Sequence, residues 1–225
     1  PSGGFFISNI SPSMLAYLPI FDYFILMAFL VSLFLYFIKG EVSFYLKMFP
    51  PFLLVSLLTE LYGNYLSWEA LNNRLLYNIF TTVEFCFYLF ILRQLIRNQS
   101  VRKALLAANF IYPVLALVNI FFVQGRNNFH SFTFSIGAIL IVAGCVIYFL
   151  ELFRQPTAVK LTTLPPFWIS SALIFFYSVS FPLIAFSNFL QAWSPLILRN
   201  FYSILNILNI FLYTLFTIAF LCRIK

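Results

Sequence analysis

Residues 49–68 read FPPFLLVSLLTELYGNYLSW, an apolar run with one charge, Glu60, near its middle. A helix needs about 20 apolar residues to cross a bilayer, and this run has that length. A pair of prolines stands at its start, where a helix tolerates them. A carboxylate at membrane depth costs several kcal/mol and usually faces a bundle interior or a wet cavity. Glu60 therefore marks both a membrane helix and the face of it that turns inward.

The rest of the chain follows the same pattern. Its 225 residues are 63 % hydrophobic and 8 % charged, with 32 Phe and 13 Tyr. A soluble domain carries roughly 25 % charged residues, so this composition excludes a soluble fold. Seven apolar runs are long enough to span, at 16–38, 49–68, 75–95, 104–124, 131–153, 164–188 and 199–222. Polar and apolar residues do not alternate, which argues against a membrane β-barrel. The connections are too short to fold alone, so residues 1–225 read as one all-α bundle. Residues 1–4 read as a flexible end, and the first run lacks a basic leader and reads as a retained helix.

Lysine and arginine alternate in density from loop to loop. One set of connections carries ten, including Lys39, Lys47, Arg93, Arg97, Arg102, Lys103, Arg154 and Lys160; the other carries three, Arg74, Arg126 and Arg199. The positive-inside rule then places the N-terminus outside and the C-terminus inside, in the cytoplasmic (inner) membrane. The net charge of +7 reports orientation and lipid contact, not nucleic acid, which needs a soluble basic surface. The cluster Arg93, Arg97, Arg102 and Lys103 is chiefly a topology signal and also a candidate contact for anionic lipid or a cytoplasmic protein partner.

Polar stripes mark the inward faces. Helix positions at i+4, i+7 and i+11 share a side. Ser56, Glu60 and Asn64 form one stripe; Tyr77, Thr81, Glu84 and Tyr88 another; Ser203, Asn206, Asn209, Tyr213 and Thr217 a third. Counting along the helices at about 1.5 Å per residue sets Glu60 and Glu84 at similar depth on neighbouring antiparallel spans. Two close carboxylates in a low dielectric favour sharing a proton over bearing two charges. Asp22, near the outer end of the first run, joins them or reaches the interface. The candidate ligand or ion site is thus Glu60, Glu84, Asn64, Asn78, Asn206, Asn209 and Asp22. Three readings compete: a cation- or proton-coupled site, a pocket for a polar or amine ligand, and a structural network of interhelical hydrogen bonds.

The chain also matches itself. Phe49-Pro50-Pro51-Phe52, with Ser56 and Tyr62, parallels Leu164-Pro165-Pro166-Phe167, with Ser171 and Tyr177. Arg74-Leu75-Leu76-Tyr77-Asn78-Ile79 parallels Arg199-Asn200-Phe201-Tyr202-Ser203-Ile204, and Tyr36-Phe37-Ile38-Lys39 parallels Tyr148-Phe149-Leu150-Glu151. Residues 16–95 and 131–222 thus read as a parallel repeat around a linker helix, an arrangement known among transporters; chance in a Phe-rich chain is the rival explanation. On these features the chain resembles the broad class of facilitator, opsin-like and receptor-like bundles with 3+1+3 topology. The stretch from Asn73 to Phe85, NRLLYNIFTTVEF, is similar to small seven-span membrane proteins of Bacteroidetes type. That resemblance implies a cytoplasmic-membrane location and no activity. The last span holds no Lys before Lys225, which argues against a retinal pigment.

Other residues carry less. One His, His130, cannot build a multi-His zinc site and reads as interfacial; HExxH and GxSxG are absent. Cys86, Cys145 and Cys222 read as apolar fillers. Pro113 and Pro182 fall inside spans, and Gly137 and Gly144 read as points of close helix contact. The expectation is a non-enzymatic bundle without cofactor that binds a small polar or cationic ligand, transport being slightly favoured. The rivals are a sensor module signalling to a cytoplasmic partner and a structural subunit of a membrane complex.

Overall fold

In a computed structural model, residues 19–37, 41–154, 160–186 and 195–224 are described, with the backbone alone at 195–199. Among them there is no strand. The helices are α1 (Ile20–Leu33), α2 (Phe44–Lys47), α3 (Phe49–Trp68), α4 (Arg74–Leu95), α5 (Gln99–Val118), α6 (Ser131–Phe153), α7 (Pro165–Ala185) and α8 (Pro195–Ile224). Among the described residues six helices are long and apolar enough to cross a membrane, and a shorter apolar helix, Ile20–Tyr36, accompanies them. The chain is a polytopic helical bundle. Its surface fits lipid: Phe110 and Phe122 are 71 % and 84 % exposed.

Local chemistry sets several ends. Pro50 and Pro165 occupy opening turns that would leave amide groups free in any case. α5 starts at Gln99, ahead of the apolar run at 104, because the Asn98 side chain accepts from the Ser100 and Val101 amides. Beyond Val118 the same helix widens into a π turn, Asn119–Val123. The first helix tightens into a 3-10 turn at Phe34–Tyr36. The starts of the runs at 16 and 199 and the ends of those at 38 and 188 lie wholly or partly outside the described residues.

α1, α3, α4, α6, α7 and α8 close a ring in that order, and α5 lies outside it against α4. The neighbour pattern is unchanged when α1, α3 and α4 are exchanged with α6, α7 and α8. α4 and α6 approach closely because Gly137 and Gly144 face them: a Cβ there would meet the Phe85 ring at 2.7 Å and Leu92 Cδ1 at 2.9 Å.

The two ends of the ring differ. At one end the Tyr36 hydroxyl donates to the Lys47 carbonyl, Arg223 donates to the Glu41 carbonyl, and the Glu151 carboxylate accepts from the Arg97 and Asn98 amides. Lys47, Arg97, Lys103, Arg154 and Lys160 are exposed there, and Arg93 and Arg102 are half-buried. At the other end an amide network links the α3–α4 and α5–α6 turns, with Asn127 accepting from Asn72 Nδ2 and from Arg74.

The interior of the basic half is aromatic. Phe49 packs on Phe87, Phe216 and Phe220 with ring centroids 5.2 to 5.3 Å apart. Phe52 stacks on Phe87 at 3.9 Å. Next to this plug, Tyr88 meets Tyr177 and Phe216, and Phe85 meets Tyr112, Phe134 and Tyr177. Such pairs add stability beyond their buried area.

Candidate functional site

Above the aromatic plug, acidic residues from three consecutive ring helices come together. Asp22 on α1 is buried and its Oδ2 accepts from Asn64 Nδ2 on α3 at 2.9 Å. Its Oδ1 has no partner. One turn away on α3, Glu60 Oε2 accepts from the Tyr77 hydroxyl of α4 at 2.9 Å. Glu60 lies within electrostatic reach of both Asp22 and Glu84. Glu60, Asn64, Tyr77 and Glu84 are half-buried, whereas Tyr88, Tyr177 and Phe216 behind them are fully buried. The polar cluster thus lies toward the α3–α4 turn, with the aromatic plug between it and the basic end.

The helix spacing explains this placement. Ser56, Glu60 and Asn64 stand four residues apart on one side of α3; Tyr77, Glu84 and Tyr88 share a side of α4. Gly63 lets the helices meet: a Cβ there would strike the Tyr77 hydroxyl. Glu84 pairs with the Tyr88 hydroxyl one turn along α4, and the Tyr213 hydroxyl pairs with Ser56.

Other sequence candidates go elsewhere. Asn78 is buried, donating to the Asn128 carbonyl and accepting from the His130 amide, so it fastens the α5–α6 turn to α4. Asn209 is half-buried and donates to the Leu205 carbonyl of its own helix. Asn206 is exposed. The site therefore gathers Asp22, Asn64, Glu60 and Glu84; Asn78, Asn206 and Asn209 have other surroundings. Tyr77, Tyr177 and Tyr213 belong to it as well. The i+3 and i+4 stripes signalled Tyr77 and Tyr213, but nothing local marks Tyr177.

His130 is not at an interface. It is fully buried where α6 begins, with Nδ1 2.7 Å from Thr133 Oγ1 and Nε2 unpartnered. Burial against Phe129 pushes its imidazole pKa down to about 4. The ring reaches the interior because the amide network around Asn119, Gln124 and Thr133 folds the turn inward.

Among the described residues no three His, Cys, Asp or Glu side chains are placed to share one metal ion. The carboxylates can instead attract a solute's positive charge, and the amide and hydroxyl groups can orient it. Comparisons with protein-family models, curated proteins and solved structures return no match.

Proposed function

We propose that this membrane bundle binds a small polar or cationic solute at Asp22, Glu60 and Glu84, and that it transports that solute. The observation carrying this reading is that Asp22 on α1 and Glu84 on α4 both lie within electrostatic reach of Glu60 on α3, inside a helical bundle. Acidic groups at membrane depth are costly and are kept where a pathway or ligand uses them. The sequence self-matches support a 3+1+3 parallel repeat, an arrangement known among transporters, with the three carboxylates all in its first half.

Orientation belongs to the same proposal. With the lysine-rich end in the cytoplasm of the inner membrane, the carboxylate cluster lies in the outer half of the bundle. Flux or binding of a panel of small organic cations in proteoliposomes tests the reading, comparing wild type with Glu60→Gln/Glu84→Gln at equal folded protein. Loss in the double variant is expected. Uptake and binding that persist unchanged in it would sink the assignment.

A sensor is the second reading, and one observation favours it. The Glu151 carboxylate at the end of α6 holds the Arg97 and Asn98 amides, joining the α4–α5 turn to the ring. Exposed Arg97 and Lys103, with half-buried Arg93 and Arg102, then form a cytoplasmic docking surface that feels movements of α4 and α6. Ligand-dependent association with an acidic partner, without flux, would select this reading.

A further inference from the structure

A groove of about 710 Å³ runs between α7 and α8 on the outside of the bundle. Phe167, Ser171 and Ser178 line it from α7, and Phe211 and Leu215 line it from α8. The three α7 residues stand at i, i+4 and i+11, so they form one stripe. The groove exists because Ser171 and Ser178 are small where their neighbours on that side are aromatic. Phe175 and Phe211 face each other across it at 4.4 Å by centroid and are 44 % and 40 % exposed. Its lining on α7 runs from Phe167 to Val179, about 18 Å at 1.5 Å per residue. A hydrocarbon core about 30 Å thick gives each leaflet about 15 Å, so the groove is as long as one leaflet is deep.

The mouth of the groove lies at the basic end. There the Thr162 carbonyl accepts from Trp168 Nε1 at 3.0 Å and from Cys222 Sγ at 3.2 Å, which ties the turn Leu161–Thr163 to both helices. The Thr163 hydroxyl donates to the Lys160 carbonyl at 2.7 Å and fixes the start of that turn. Lys160 is exposed beside the mouth. Trp168 lines the groove near its entrance, the level at which tryptophans favour a membrane–water boundary.

We propose that this groove holds one acyl chain of an anionic phospholipid from the leaflet at the basic end, with the phosphate at Lys160. The apolar length of the groove matches a chain and excludes a polar solute. The Thr162 carbonyl is already taken twice, so the mouth offers a headgroup the Lys160 ammonium, which selects negative charge. Basic sites between spans are where anionic lipids are held. A chain lying on both α7 and α8 is in contact with two helices at once, unlike a chain against a single span. The inference stands apart from the solute reading: the carboxylates belong to α1, α3 and α4, and the groove to α7 and α8.

The test is quenching of Trp168 fluorescence by phospholipids brominated on one acyl chain. The full chain carries Trp68→Phe and Trp193→Phe, so that Trp168 alone emits, and is placed in liposomes of unbrominated phosphatidylcholine. Brominated phosphatidylglycerol and brominated phosphatidylcholine are added at equal, low mole fraction. Phosphatidylglycerol should quench more strongly and saturate. Lys160→Gln should weaken that quenching about fivefold. Ser171→Phe fills the groove and keeps every charge, so it should remove the saturable quenching; Ser178→Leu fills the deeper half and repeats the test should Ser171→Phe not fold. Equal quenching by the two lipids overturns the proposal, and so does an anionic preference that Lys160→Gln leaves unchanged. A preference that survives in a folded groove-filling variant also overturns it, because the lipid would then gather at the basic end without entering the groove.

Discussion

Tyr77 and Glu60 form the one described carboxylate–hydroxyl bond that ties α3 to α4, and Gly63 makes room for it. Interhelical hydrogen bonds in membranes contribute about 0.6–2 kcal/mol. Tyr77→Phe and Glu60→Gln should therefore be non-additive: in a double-mutant cycle followed by unfolding in detergent, the coupling should reach roughly 1 kcal/mol. Strict additivity would mean that the bond does nothing for stability. His130 makes a different prediction. Its folded pKa of about 4 lies below the ordinary 6.5, so between those values the unfolded chain binds the proton and the folded chain does not. Stability present above pH 6.5 is lost as the pH falls toward 4, by about 3 kcal/mol at most for a shift of this size. Thermal unfolding from pH 7.5 to 4.5 should show this slope, and His130→Gln should flatten it. An unchanged slope would place the titration on other groups. Sequence reading found both carboxylates from their depth and spacing. It took His130 for an interfacial residue because burial there depends on Asn78 and Thr133, which reach it only after α4 and α6 pack.

The α4–α6 contact shows why helix spacing alone says less than packing. Gly137 and Gly144 stand seven residues apart on one side of α6, a pattern legible as close contact. The partners, Phe85 and Leu92, were not legible. The two glycines should respond differently to enlargement. A Cβ at Gly137 meets the Phe85 ring, which is wedged among Tyr112, Phe134 and Tyr177 and cannot turn away. A Cβ at Gly144 meets the far end of the Leu92 side chain, which can rotate. Overpacking a tight core costs about 1–3 kcal/mol. Gly137→Ala should fall in that range and Gly144→Ala clearly below it, as read by unfolding in detergent. Equal costs would mean that the Phe85 ring yields as easily as the leucine. Helix ends were less legible than helix cores. The apolar count begins the fourth run at 104, whereas the Asn98 cap starts α5 at Gln99 and carries polar residues into its first turns.

The ring itself follows from hydropathy only as a set of spans; its closure required tertiary contacts between segments far apart in the chain, such as α1 with α8 and α4 with α6. Tyr177 illustrates the gap: the sequence aligned it with Tyr62, yet Tyr62 is 52 % exposed and Tyr177 is fully buried against Tyr88 and Phe85. Matching sequence thus need not give matching surroundings, because Tyr177 turns into the ring against Phe85 and Phe134 whereas Tyr62 lies outside it beside Tyr65. The charge asymmetry between the two ends makes the remaining prediction. Each lysine or arginine near a span costs free energy to translocate, and the exposed cations Lys47, Arg97, Lys103, Arg154 and Lys160 share one end. Glu69, in the turn between α3 and α4, is exposed at the opposite end. With Lys103→Cys and Glu69→Cys introduced separately, a membrane-impermeant maleimide applied to intact cells should label the Glu69 position and spare the Lys103 position until the cells are opened. Native Cys145 is buried and Cys86 and Cys222 are half-buried, so their background is measured on the parent chain. The reverse labelling would turn the carboxylate end of the bundle toward the cytoplasm. It would leave the ring and the carboxylate cluster intact but make the solute path one that loads from inside.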